Sequence, residues 1–195
     1  MSDFTIAYHI TVIGNEGGLN PGNGEAFTYR GIDESQNPKW PGFAYVHSVW
    51  NSNRHLGITA VNKILADNEE LQKDVQAFYL TNYWNSHSIG KINNQQVANN
   101  VFDNSVNPCI DSASKVLQKA CNAVISAKQL VIHPLQLDGQ IGPATIATVN
   151  EINPEWLHGA INTIRAENYK ERVRRTPSMA QWLHVWLDRL IPYKN

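Results

Sequence analysis

The sequence has 195 residues, 42% of them hydrophobic, so it is long enough to bury a core of its own. Its 16 basic residues are balanced by 17 acidic ones, which argues against a nucleic-acid-binding protein that works through a strong positive field. No apolar run approaches the length of a membrane span, and residues 1–15 lack the features of a signal peptide. We therefore expect no membrane insertion and no signal-peptide export.

Residues 4–15 are predicted to form the first helix, which the glycine pair Gly17 and Gly18 would end. Its predicted apolar face consists of aliphatic residues at helical spacing: Ile6, Ala7, Ile10, Val12 and Ile13. Residues 19–42 are rich in Pro and Gly and are predicted to form a long loop with a short hairpin around residues 26–32. A loop of that length within a compact domain is often functional.

Further helices are predicted from apolar periodicity over residues 43–52, 59–65, 94–107 and 110–127. Asp67 is predicted to cap another helix, with Glu70 as its capping-box partner. Three later helices are predicted where a capping residue precedes Pro, at Gly142, Asn153 and Thr176. The pattern predicts an all-α fold with a small β element near the start of the chain.

Glu16 is the first candidate for chemistry. It lies at the predicted C-terminal end of the first helix, where unsatisfied backbone carbonyls carry partial negative charge. This charge disfavours an ionised carboxylate, so we expect the pKa of Glu16 to be raised, as a general acid near neutral pH requires. The alternative is an ordinary solvated glutamate at a frayed helix end.

Hydrolysis of a glycosidic bond also needs a group that activates water or stabilises the developing cation. Glu25, nine residues after Glu16, is the candidate, and Asp33 and Glu34 are competing acids in the same loop. The alternative for Glu25 is an exposed loop acid.

Glu16-Gly17-Gly18, the Pro- and Gly-rich loop and the run Phe-Thr-Tyr-Arg-Gly-Ile at residues 27–32 resemble the front motif of glycoside hydrolase family 108, which contains N-acetylmuramidases. The resemblance implies a lysozyme-like fold with Glu16 as the catalytic acid. It implies Glu25, or Thr28 holding a water molecule, as the second group, and Thr28 and Tyr29 as substrate-binding residues. The Gly-Gly that usually precedes the Thr of this family is replaced here by Ala26-Phe27 after Glu25.

The run Val-Phe-Asp-Asn-Ser-Val-Asn at residues 101–107 resembles the Phe-Asp-x-x-x-Asn helix of the same family, which lines the substrate cleft. Asp103 and Asn107 are four residues apart and therefore share one helical face. They are interpreted either as a buried hydrogen-bonded pair or as substrate contacts.

Two later segments extend the resemblance. Residues 138–145, with Asp138 and Gly139 at a tight turn, resemble the Asp-Gly-x-x-Gly-x-x-Thr turn of peptidoglycan-binding helical modules. Arg165 with Tyr169, and the run Trp-Leu-Asp-Arg-Leu at residues 186–190, resemble the closing helices of the family. Arg165 is expected to pair with an acid in the core.

The resemblance implies a catalytic lobe of residues 1–95 and a peptidoglycan-binding-type lobe of residues 96–195, packed as one globular unit. The expected activity is hydrolysis of the peptidoglycan glycan strand between N-acetylmuramic acid and N-acetylglucosamine, by a monomer with no cofactor. The scattered histidines form no metal motif, so no metal site is expected. The enzyme would reach the periplasm or cell wall through a holin or a dedicated secretion system. The alternative is a catalytically weak wall-binding or secretion-associated protein that keeps the fold.

Overall fold

The computed structural model describes residues 1–22, 26–107 and 111–194. The chain divides into a smaller unit, Tyr8–Asn82, and a larger unit made of Met1–Ala7 with Tyr83–Asn195. Helices predominate, and one small antiparallel sheet is present, which confirms the predicted all-α class with a short β-hairpin. The lobe boundary predicted near residue 96 stays a prediction. None of the helices in the described part of the chain combines the length and the hydropathy of a membrane span.

The first helical segment is irregular. Helix α1 spans Phe4–Tyr8 and continues as a π-helix over His9–Ile13. The side chains that this segment buries are Ala7, Tyr8, Thr11 and Val12. Three members of the predicted apolar face are exposed instead, namely Ile6, Ile10 and Ile13. That part of the prediction is wrong. Ile10 and Ile13 lie in the π-helix, which has more residues per turn than the 3.6-residue period with which the face was chosen, whereas Ile6 lies before it in α1.

The sheet of the smaller unit has three two-residue strands in the order β1, β2, β3, all antiparallel. They are β1 at Leu19–Asn20, β2 at Thr28–Tyr29 and β3 at Ile32–Asp33. Tyr29 pairs with Leu19 on one side and with Ile32 on the other, and these three side chains are buried. The sheet therefore has one inward face, and β2 is its central strand.

Three α-helices complete the smaller unit: α2 at Gly42–Asn53, α3 at Ile58–Ala66 and α4 at Glu69–Tyr79. The cap of α4 is Asn68, whose side chain accepts a hydrogen bond from the backbone N–H of Leu71 at 2.7 Å. The prediction of Asp67 as the cap is wrong by one residue. Asp67 pairs instead with Lys63, one turn earlier, at 2.6 Å.

The larger unit contains five more α-helices among the described residues: α5 at Gln95–Val106, α6 at Ala113–Ala127, α7 at Pro143–Glu151, α8 at Pro154–Arg175 and α9 at Leu183–Asp188. Helix α8 packs against both α5 and α6. The predicted starts at Gly142 and Asn153 are confirmed, and the Asn153 side chain caps α8. The predicted helical start at Thr176 is also confirmed, but the helix there is a 3-10 helix, Pro177–Trp182, without a side-chain cap, and the α-helix α9 follows it.

An ion cluster around Asp103 lies in the core of the larger unit. Arg165 Nη2 lies 2.5 Å from Oδ2 of Asp103, and Arg189 Nη2 lies 2.7 Å from Oδ1. Arg165 is 1% exposed and also donates to Asn100 Oδ1 at 2.7 Å and to the Tyr169 hydroxyl at 3.0 Å. Burial alone would lower the pKa of Arg165, but the Asp103 carboxylate outweighs it and raises that pKa. The expected pairing of Arg165 with a core acid is confirmed.

Replacing Asp103 with Asn should lower the free energy of unfolding by about 3 kcal/mol, because two largely buried guanidinium groups would lose their counter-charge. Urea denaturation of the full chain measures this loss. The matched control is Glu167→Gln on α8, which removes an exposed acid from an ion pair with Lys170 and should leave stability close to wild type. Equal effects of the two substitutions would contradict the importance of the cluster.

Candidate active site

Glu16 follows the π-helix at the end of the first helical segment. Its backbone N–H donates to the carbonyl of Val12 at 3.0 Å, so the helical turn continues up to this residue. The side chain is half-buried. Single π-helical turns are often found at functional sites, and this one brings the chain to Glu16.

The Glu16 carboxylate lies against the turn between β2 and β3. A Cβ atom placed on Gly31 would lie 2.6 Å from Glu16 Oε2 and 2.8 Å from the Tyr79 hydroxyl. Gly31 also has a φ of 76°, and Arg30, beside it, has a φ of 48°. A two-residue hairpin loop with both central residues at positive φ has the geometry of a type I′ turn. Only glycine satisfies both the backbone angle and the close approach of Glu16 at residue 31.

Tyr79 holds this turn from α4. Its hydroxyl donates to the backbone carbonyl of Arg30 at 2.6 Å, and the residue is 1% exposed. Arg30 in turn donates from Nη1 to the backbone carbonyl of Glu16 at 3.4 Å. The turn is therefore tied both to α4 and to the end of the first helical segment.

Tyr8 lies beside this group, with its ring 6.3 Å from that of Tyr79. Burial raises the pKa of Tyr8 to about 12, against the opposing effect of the Arg30 guanidinium. Tyr8 is therefore a neutral phenol at physiological pH. It supplies a buried wall beside the turn without adding charge to it.

Thr28 and Tyr29, the predicted substrate-binding residues of β2, have different surroundings. Thr28 is half-buried, and its hydroxyl makes no hydrogen bond to a described residue. Tyr29 is 1% exposed, and its hydroxyl accepts a hydrogen bond from Gln72 Nε2 at 3.0 Å. These contacts make Tyr29 a support for the sheet, while its predicted contact with the glycan stays a prediction.

The acids of the loop after Gly18 differ in their surroundings. Glu25, the predicted second catalytic residue, lies outside the described residues. A hydrogen bond from the Ser35 hydroxyl, at 2.5 Å, is the main cause that lowers the pKa of Asp33. Burial acts to raise the pKa of Glu34, but hydrogen bonds from the Phe27 N–H at 2.9 Å and from His47 at 2.7 Å outweigh it. Asp33 and Glu34 are therefore ionised acids with structural hydrogen bonds.

Asp103 and Asn107, predicted as substrate contacts or as a buried pair, belong to the larger unit. The carboxylate of Asp103 is occupied by Arg165 and Arg189. Asn107 accepts a hydrogen bond from the Tyr169 hydroxyl through its backbone carbonyl at 3.4 Å, and its Nδ2 atom is buried without a partner among the described residues. The contacts favour a structural role for Asp103, and contact of either residue with substrate stays a prediction.

The family model described as Glycosyl hydrolase 108 matches residues 10–108, half of the chain, and this range contains Glu16, the sheet and helices α2 to α5. The chain belongs to the glycosyl hydrolase 108 family. A second model, described as a predicted peptidoglycan domain, matches residues 112–191. No curated protein matches the chain.

The two matches show the general class of reaction and substrate of this chain. It is a glycoside hydrolase with a peptidoglycan hydrolase role, and it acts on the cell wall. Within the described ranges, no three His, Cys, Asp or Glu side chains come together in a group that would hold a metal ion.

Sequence reasoning missed Tyr79 as a residue of the site. Its spacing in the helix that follows Asp67 predicts only a residue of the apolar face and gives no sign that the hydroxyl is used. Its partner Arg30 is 49 residues away in the sequence, so the contact depends on how α4 packs against the turn. The only local signal is a hydroxyl-bearing aromatic residue at an otherwise apolar position, which usually finds a partner when buried.

Replacing Gly31 with Ala should lower hydrolysis of purified peptidoglycan by about 10- to 100-fold, because the new Cβ would displace the Glu16 carboxylate from its position. The loss of turbidity of a peptidoglycan suspension measures this rate. We also expect a stability loss of about 1–2 kcal/mol from the positive φ.

The matched control is Gly57→Ala in the same unit. Gly57 also has a positive φ, 86°, but a Cβ there would meet no atom within 4 Å. Its ψ of 160° places it in a backbone region that is essentially restricted to glycine, so the variant should carry a backbone penalty at least as large as that of Gly31→Ala. It should nevertheless keep its activity at a temperature where both variants are folded. An equal loss of activity in the two variants would contradict a specific role of the Gly31 contact.

Proposed function

We propose that this glycoside hydrolase is a lysozyme-type N-acetylmuramidase that acts as a monomer, with Glu16 as its general acid. It would cleave the glycan strand between N-acetylmuramic acid and N-acetylglucosamine. The observation that carries the proposal is the position of the Glu16 carboxylate, at the end of a helical segment and against the backbone of Gly31.

Two features of the surroundings of Glu16 favour a protonated carboxyl group, while the Arg30 guanidinium, whose Nη1 lies 3.4 Å from the Glu16 backbone carbonyl, favours the ionised form. Partial negative charge on the carbonyls at a helix end opposes ionisation of a nearby carboxylate, and half-burial acts in the same direction. A general acid must carry its proton near neutral pH to protonate the leaving oxygen of the sugar. The close packing by Gly31 and the tie from Tyr79 to Arg30 limit how far the turn beside the carboxyl group can move, which supports a defined reaction geometry.

Thr28 is the proposed holder of the attacking water. It stands two residues before Arg30, on the central strand of the sheet, and its hydroxyl is not used by a described residue. A hydroxyl both donates and accepts hydrogen bonds, so it can orient a water molecule toward the anomeric carbon. Glu25 is the alternative second group, as the base that activates the water.

Replacing Glu16 with Gln should reduce peptidoglycan lysis by at least about 100-fold, because the amide keeps the shape of the side chain and cannot give up a proton in the same way. Turbidity loss and a zymogram on purified peptidoglycan measure lysis, and mass spectrometry of the released fragments identifies the sugar at the new reducing end. The matched control is Glu69→Gln, an exposed acid at the start of α4 in the same unit, which should keep wild-type activity.

Unchanged lysis by the Glu16 variant would refute its role as the acid. Reducing ends on N-acetylglucosamine instead of N-acetylmuramic acid would refute the proposed bond. Binding to the wall without lysis by the wild type would favour a wall-binding protein that keeps the fold.

Thr28 and Glu25 can be separated by paired substitutions. If Thr28 holds the water, Thr28→Val should lower the turnover number about 10- to 100-fold, and Thr28→Ser, which keeps the hydroxyl, should restore most of it. Glu25→Gln would then have a small effect. The opposite result, full activity of Thr28→Val with a large loss in Glu25→Gln, would assign the second role to Glu25.

A further inference from the structure

A groove of about 590 Å³ lies on the larger unit, within the part of the chain matched by the peptidoglycan domain. One wall is helix α7, with Thr148 and Glu151 in its last turns. The rest is formed by Gln118 of α6, by residues 131–136 and by Asp138. We call it the α7 groove.

Two side-chain amides of α6 hold the segments that line the groove. Gln118 is 1% exposed, donates from Nε2 to Asp138 Oδ1 at 2.6 Å and accepts from the N–H of Gly139 at 3.0 Å. Asn122 donates to the carbonyl of Leu135 at 2.8 Å and accepts from its N–H at 2.7 Å. The groove is therefore preorganised, which lowers the entropy that binding a ligand would cost.

The surface of the groove combines aliphatic and acidic groups. Val131 is fully exposed, and Leu135 and Ile132 are half-buried beside Pro134. No Trp, Tyr or Phe occurs among the described residues that line it. Sugar rings usually lie on the flat faces of such side chains, because these combine an apolar face with a polar edge. This surface therefore suits a ligand with aliphatic carbon better than a stacked sugar.

Two carboxylates of the groove have no positive partner among the described residues. The hydrogen bond from Gln118 holds the pKa of Asp138 below its ordinary value, and Asp138 Oδ2 accepts no hydrogen bond from a described residue. Glu151 is exposed at the C-terminal end of α7, where the helix dipole disfavours negative charge, and it forms no ion pair with a described residue. The described lining contains no Lys or Arg, and its remaining titratable group is His133.

We propose that the α7 groove binds the peptide stem of peptidoglycan. The carboxylates of Asp138 and Glu151 would take the side-chain ammonium of the diamino acid of the stem, and Val131 and Leu135 would contact its aliphatic chain and the neighbouring alanine methyl groups. The proposal rests on the proposed function only in that the substrate is peptidoglycan. It depends neither on the bond that is cleaved nor on Glu16.

The glycan strand is the competing occupant. Its amidated muramic acid and its N-acetylglucosamine carry no positive charge, so the two carboxylates could accept hydrogen bonds from their hydroxyl groups but would not gain a charge pair from binding them. The ammonium group of the stem and the aliphatic chain that carries it, in contrast, match both the charge and the apolar surface of the groove, while the carboxylates of the D-Glu and terminal D-Ala residues would lie outside it.

The experiment measures binding of a synthetic stem peptide whose N-terminus is acetylated, N-acetyl-L-Ala-γ-D-Glu-L-Lys-D-Ala-D-Ala, so that the lysine side chain carries its one amine. Binding to the full-length Glu16→Gln chain is followed by titration calorimetry and by amide chemical shifts. The same peptide with an acetylated lysine amine is the comparison ligand. We expect the free amine to bind at least about fivefold more tightly at low salt, and the difference to shrink as salt screens the charges.

The test variant is Glu151→Gln, whose exposed position makes misfolding easy to exclude by circular dichroism. It should weaken binding of the free-amine peptide about threefold and leave the acetylated peptide unaffected. The matched control is Glu155→Gln, an exposed acid of the same unit that does not line the groove, and it should bind like the parent chain.

Equal affinity for the two peptides, no binding of either, or no effect of Glu151→Gln would overturn the proposal. Shifts in groove residues caused by a peptide-free glycan tetrasaccharide would assign the groove to the sugar instead. Since binding is measured in a chain without Glu16, a failure here is distinguishable from a failure of the proposed catalytic role, which is read from lysis.

Discussion

The candidate site of this family member depends on one close approach, that of the Glu16 carboxylate to the backbone of Gly31. The contact is possible because residue 31 has no side chain and takes a positive φ, which lets β2 and β3 reverse direction in two residues. Any larger side chain would occupy the volume that holds Glu16 Oε2 and the Tyr79 hydroxyl. A glycine at residue 31 is therefore required for three features of the site. They are the position of the proposed acid, the path of the hairpin and the contact of the turn with α4.

Helix boundaries that depend on adjacent residues were predictable. The Asn153-Pro154 start of α8 follows from a capping side chain followed by a ring that presets φ, and both effects act within one turn. The sequence could not decide whether Asp67 or Asn68 caps α4. Asp67 forms an ion pair with Lys63 on the preceding helix, and Asn68 caps α4 instead. The π-helix at His9–Ile13 was also missed. Thr11 is buried in this π-helix. Its burial depends on packing and produces no periodic pattern in the sequence.

Part of the candidate site could be proposed from local sequence. Glu16 and Thr28 were proposed from short runs whose order resembles a family, and their catalytic roles stay predictions. The pairing of Arg165 with a core acid was expected from the same resemblance and is observed. The choice of Asp103 for that role, and its sharing with Arg189, depends on three separate helical segments of the larger unit. For Tyr79 the sequence records only an apolar helix position. Its hydroxyl acquires a role only when α4 is packed against the Arg30 carbonyl.

Arg30 shows how the turn differs from one selected for stability alone. The first central position of such a turn favours Asn, Asp or Gly, and a positive φ at another residue costs on the order of 1 kcal/mol. Its Nε atom is also buried without a partner among the described residues, which adds a desolvation cost. Asn would relieve the strain but is too short to carry the donor that Arg30 places 3.4 Å from the Glu16 carbonyl. Arg30 therefore lowers the local stability of the turn but links the turn to the segment that carries the proposed acid. Backbone strain that is retained for such a contact is typical of functional sites.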